Sequence, residues 1–233
     1  GGVHTGAAQS SVSSAKGLLQ ELLQGSVALQ HRDFRLLWSS QLVSMAGTMM
    51  QSAAILWHVS ILVPASQRGI ALGMVGLVRV LPIIGFSLVS GVVADAMDRR
   101  RLMFITQTGM MACAIALAVL DGLGVHALWT VYALSALGAA FAAFDGPARQ
   151  SLIPNLVPAE HLPNAIALNT TMFQIAWVIG PAAAGLVIAS LGVGAAYAIN
   201  AVTFLAVIAA LFAMHHVESR APHERAPVSL AAA

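Results

Sequence analysis

Gln41, Ser44, Thr48, Gln51 and His58 follow one another in steps of 3, 4, 3 and 7, a spacing that stacks their polar side chains along one face of a helix. Arg79 stands about ten residues into the next apolar stretch, ~15 Å along a helix axis at 1.5 Å per residue. In lipid, such a stripe must face protein or water. It either joins helices by hydrogen bonds or lines a water-filled path for a solute. An arginine near the bilayer midplane costs roughly 2.5–3.5 kcal/mol by insertion scales. A carboxylate, backbone carbonyls, a wet cavity or an anionic ligand must offset that cost. Asp121 and Asp145 fall at opposite helix ends in this reading, so a cavity or ligand is the favoured partner.

The elements that position these residues follow from composition. Of 233 residues, 58% are hydrophobic and 9% charged, where a soluble domain carries about 25% charged residues. The mean hydropathy is +0.83. This excludes disorder and argues for an integral membrane protein. The net charge of +2 comes from scattered cations, which form no phosphate-tracking face, so no nucleic-acid partner is expected. The single cysteine, Cys113, excludes an internal disulfide and a cysteine-rich metal site.

Six apolar runs lack the period-2 alternation of barrel strands and read as helices. They cover Leu36 to Val63, Gly69 to Ala94, Leu102 to Leu120, Ala127 to Phe144, Ala165 to Leu191, and Gly194 to Met214. The expected organisation is all-α, with a leader over 1–35, a six-helix bundle over 36–214, and a tail over 215–233 that begins a central linker. Residues 1–35 lack the apolar core of a cleavable signal peptide. Lys16, Arg32, Arg35, Arg99, Arg100, Arg101, Arg149, Arg220 and Arg225 all fall on one side of this layout, against Arg68 in the opposite loops. By the positive-inside rule, both termini are cytoplasmic.

Small residues recur at four-residue spacing, as Ser87 and Gly91, Ser135 with Ala139 and Ala143, and Gly180 with Ala184, ridges that let helices approach closely. Thr170, Gln174 and Trp177 repeat the polar theme on the fifth helix, while Pro82 and Pro181 permit bends there and in the second. Enzyme signatures are missing: there is no His-Glu-x-x-His, Gly-x-Ser-x-Gly or phosphate loop. His215, His216, Glu218 and His223 read as a solvated polar tail rather than a metal site. Neither a metal nor a cofactor is expected.

The segment Gly91-Val-Val-Ala-Asp95-Ala-Met-Asp98-Arg99-Arg100-Arg101 resembles the loop between helices two and three of the major facilitator superfamily. Ala96 stands where that loop carries a basic residue, and Asp98 where it carries glycine. Gly180-Pro181-Ala-Ala-Ala184-Gly185 resembles the Gly-Pro-x-x-Gly-Gly motif of exporters in that superfamily, with Ala184 replacing one glycine. Phe144-Asp145-Gly146-Pro147-Ala148-Arg149 through Pro154, and Phe34-Arg35-Leu-Leu-Trp38 with Gln41, Ser44 and Gly47, are similar to the branch of the enterobactin exporter and the macrolide-efflux proteins.

The resemblance implies one six-helix half of a twelve-helix carrier, with substrate held between halves and alternating access by rocking. It implies that Gly91, Asp95, Arg99 and Arg100 clamp the cytoplasmic side against the second half, with Asp145 as a nearby partner for the arginines. Gly180, Pro181 and Gly185 would shape helix five against that half and limit proton leakage. Gln41, Ser44, Thr48, Gln51 and Arg79 are the expected substrate-cavity residues. The expected function is proton-coupled efflux of small amphipathic, drug- or siderophore-like molecules from a bacterial-type inner membrane, with no catalysis. The expected partners are the lipid bilayer, a small-molecule substrate, protons, and a second six-helix half. The Gly-Gly opening and the Ala231-Ala-Ala233 ending are those expected of a piece of a longer chain. Rival readings are a six-helix protein pairing with a second copy, and a membrane sensor or scaffold that binds a partner without transport.

Overall fold

The computed structural model describes residues 27–214; the tail histidines and most of the leader lie outside the described residues. Six long helices account for the bundle: α1 (Arg32–Leu62), α2 (Arg68–Ala96), α3 (Arg99–Gly122), α4 (Leu128–Leu152), α5 (Leu162–Leu191) and α6 (Val193–Ala213). All six expected spans are present as helices long and apolar enough to cross a membrane, and the described residues contain no strand. Ile70, Leu81, Ile84, Val178, Leu186 and Phe212 lie on the outer surface, as lipid-facing positions must in a fold whose backbone groups are satisfied within each helix. The helices run unbroken through Pro82 and Pro181.

Packing does not follow chain order. α1 lies between α5 and α6, α6 also packs on α3, and α3 on α4, which in turn carries α2. α1 and α2 meet only lightly. A single residue, Gly192, joins α5 to α6 in a left-handed conformation (φ 87°), which a residue with a Cβ rarely adopts. Gly180 sits against α1 so closely that a Cβ there would overlap the Met49 side chain and the Ala46 carbonyl. The buried ridge of Gly180 and Ala184 therefore seats α5 on α1. The ridge proposed for α2 makes no such contact: nothing lies within 4 Å of a Cβ built on Gly91.

α4 differs most from expectation. It continues two turns past Phe144, through Pro147, to Leu152. Asp145 and Arg149 are therefore buried helix residues, whereas the sequence placed Arg149 in the loop after the fourth helix. Ala148 and Leu152 pack into a core with Phe34, Leu37, Met103 and Leu211, and this burial holds the helical turns that hydropathy alone does not require. A second core, built around Val59, Val75, Val131 and Tyr197, fills the opposite end. α3 starts at the arginine cluster, where the Asp98 carboxylate accepts the Arg101 backbone N–H at 2.7 Å. The aspartate at the expected glycine position is thus a helix N-cap.

Candidate functional site

At mid-length, α1, α2, α3, α4 and α6 surround a small cavity of about 60 Å³. α1 presents Thr48, Gln51, Ser52 and Ile55 to it, α2 presents Arg79, and α6 presents Asn200 and Phe204. Met110, Cys113, Leu134, Ser135, Gly138 and Ala139 complete the wall. Arg79 donates from Nη2 to the Ser52 hydroxyl at 3.0 Å. Ser52 donates in turn to the Thr48 carbonyl, and Thr48 to that of Ser44, so both hydroxyls are aimed by their own helix. Asn200 Nδ2 donates to Gln51 Oε1 at 2.8 Å, and Thr203 donates to Asn200 Oδ1 at 3.0 Å.

Among the described residues no ion pair within 4 Å involves Arg79. It is the one charged side chain lining the cavity. One of the five N–H donors of its guanidinium is used on Ser52, which leaves directed positive charge at a space large enough for water. Buried polar and charged groups in a membrane otherwise find partners or face water. The chemistry available is therefore the binding of an anionic or hydrogen-bond-accepting group. A complete ligand pocket takes roughly 300–1,000 Å³, several times the space enclosed here.

The expected cavity stripe is split in two. Thr48, Gln51 and Arg79 line the cavity, while Gln41 and Ser44 lie buried nearer the arginine end. There Arg149 donates from Nη1 to Gln41 Oε1 at 3.5 Å, and its guanidinium sits 4.9 Å from the Phe173 ring centroid. Asp145, one helical turn before Arg149, accepts from Thr106 and from Gln107 at 3.0 and 2.9 Å on the same oxygen. Those partners lie about 9 Å deeper along α3 than Arg100, so Asp145 belongs to a buried network and not to the arginine cluster. Arg149 Nε, Gln41 Nε2 and Gln107 Oε1 are buried without a hydrogen-bond partner among the described residues.

Gly91 is half-buried near the end of α2, and Arg99 and Arg100 are half-exposed at the start of α3. The Asp95 side chain lies outside the described residues. Gly180 faces α1, whereas Pro181 and Gly185 lie on the exposed face of α5, which also carries Thr170, Gln174 and Trp177. Sequence reasoning missed Ser52, Asn200 and Ser135. Ser52 lies four residues after Thr48, and Asn200 is the one amide in the apolar run of α6. Both were legible as polar interruptions.

The family model of the transmembrane secretion effectors matches residues 25–233. An uncharacterised MFS-type transporter of Bacillus subtilis, YfiS, is 29% identical over 76% of this chain and 40% of its own length. The staphyloferrin A transporter of Staphylococcus aureus is 22% identical over 80% of this chain and 47% of its own. Macrolide efflux protein A of Streptococcus pyogenes is 26% identical over 66% of this chain and 37% of its own. The chain thus spans less than half the length of the curated relatives it matches. No solved structure matches.

Proposed function

The chain belongs to the transmembrane secretion effector family of the major facilitator superfamily of transporters, and from that premise we propose that it is one half of a proton-coupled exporter. Its substrates are small amphipathic molecules, moved by alternating access between two six-helix halves. The observation that carries this reading is Arg79, directed with Thr48, Gln51 and Asn200 into a mid-length cavity and bonded to a hydroxyl instead of a carboxylate. The cavity is too small for a drug-sized molecule, which favours a second half that supplies the facing wall. Among the described residues no carboxylate lines it, so the site favours neutral or anionic solutes over cations, and the proton carrier is assigned to the second half. Nine of eleven lysines and arginines on one side support cytoplasmic termini in the inner membrane. There, Gly91, Asp95, Arg99 and Arg100 act as the cytoplasmic clamp. No step of this reading makes or breaks a covalent bond, so the protein is a carrier and not an enzyme.

Everted membrane vesicles carrying the full-length transporter test this directly, with macrolides and staphyloferrin A as first solutes because two relatives carry those names. Accumulation inside the vesicles should require an imposed proton gradient and collapse with a protonophore. Asp95→Asn should abolish accumulation while leaving the amount inserted unchanged. Accumulation indifferent to the protonophore would refute the coupling, and full activity of the Asp95 variant would refute the clamp.

A further inference from the structure

A second polar cluster lies at the end of the bundle remote from the arginines, outside the Arg79 cavity. His58, near the end of α1, is 3% exposed. Its Nδ1 lies 3.0 Å from the Tyr197 hydroxyl of α6, and its Nε2 lies 3.6 Å from Oδ1 of Asp121 in the last turn of α3. The chain then turns through Gly124, at φ 72°, and sets the His126 ring edge-on to His58 with centroids 6.1 Å apart. One ligand atom from each of His58, Asp121 and His126 lies within 4.8 Å of the other two. The Asp121 carboxylate rests against the first turn of α6, where a Cβ on Gly194 would approach its Oδ2 to 2.5 Å. A glycine there gives the carboxylate room to face His58.

We propose that His58, Asp121 and His126 bind one divalent cation of the Zn²⁺ class. Two imidazoles and a carboxylate are the donor set of a three-ligand zinc site that keeps its fourth position for water. Nitrogen donors select zinc, copper, nickel or iron over magnesium and calcium. Ligand atoms about 2.1 Å from a tetrahedral ion lie about 3.4 Å apart, and His58 with Asp121 already stands near that spacing. His126 closes the remainder by a side-chain rotation at an exposed turn. Tyr197 completes the arrangement: with the His58 Nδ1–H donated to its hydroxyl, Nε2 is left with a free lone pair toward Asp121, the outer-shell orientation that metal-binding histidines require. The bound ion ties α1 to the turn after α3 across α6, which packs between them.

The test is a Zn²⁺ titration by calorimetry of the full-length protein in detergent, with excess Mg²⁺ and Ca²⁺ present. One Zn²⁺ per chain should bind, and His126→Gln and Asp121→Asn should each weaken it by about tenfold or more. His126 is exposed, so its variant keeps the fold, which an unchanged unfolding temperature without metal verifies. Variants lacking the tail histidines (His215, His216 and His223 to Gln) or the separate His31 and His161 pair should retain that Zn²⁺. Absence of binding, or binding unaltered in His126→Gln and Asp121→Asn, would overturn the proposal. So would loss confined to the tail or His161 variants.

Discussion

Arg149 lies in the last turn of α4 and Arg79 mid-length in α2, and their surroundings differ in almost every respect. Arg149 is 6% exposed, lies against the Phe173 ring, reaches the Gln41 amide, and has Asp145 one turn away with two further donors around that carboxylate. Arg79 is half-buried, bonds one serine hydroxyl and faces open space. The comparison separates two ways to keep a cation inside a membrane protein. Protein groups enclose the first, so its removal strands what surrounds it. The second leaves donors directed into the cavity.

The largest effect expected from this contrast is at Arg149. Arg149→Leu should destabilise the detergent-solubilised protein by about 3 kcal/mol, because it leaves a buried carboxylate without its neighbouring cation. Thermal unfolding against the parent measures it, and an unchanged midpoint would erase the distinction between the two arginines. A somewhat smaller loss, about 2 kcal/mol, should follow Gly180→Val, since the added side chain must push α5 off the Met49 and Ala46 surface of α1. Gly185→Ala, with nothing near its Cβ, serves as the silent control in the same unfolding series. The smallest measurable loss should follow Ser52→Ala, which removes one hydroxyl from Arg79 and should cost about 0.6 kcal/mol, the average of membrane hydrogen bonds. A loss well above that would mean that the serine holds Arg79 structurally and that the cavity is secondary.

The six spans were legible because lipid demands long apolar helices, and the motif residues were legible because they lie contiguous in the chain. Neighbourhood was not. The polar stripe of α1 reads as one face, yet α4 takes its Gln41 end through Arg149 while α2 and α6 take its Thr48–Gln51 part. Periodicity reports which residues share a face but not which helix meets that face. The packing order here skips between distant segments, with α1 against α5 and α6. The hydropathy of α4 falls at Asp145, although Asp145, Ala148, Arg149 and Leu152 all lie buried in the fold. A lipid-based reading ends the helix there, and burial against α1, α3 and α6 continues it. The grouping of His58 and Asp121 with His126 was hidden for the same reason, since the fold brings together residues that lie 63 and 5 positions apart.

We propose that Arg79 holds a ligand while Arg149 holds the fold. This division of roles is tested most directly by measuring, on one preparation of the full-length carrier with Arg79→Met, both the unfolding midpoint and the affinity for a transported solute by tryptophan fluorescence. We expect a midpoint equal to or above that of the parent, with affinity lowered by about tenfold, the 1.4 kcal/mol of one charge-assisted contact. A lowered midpoint with unchanged affinity would contradict the account and make Arg79 a structural residue.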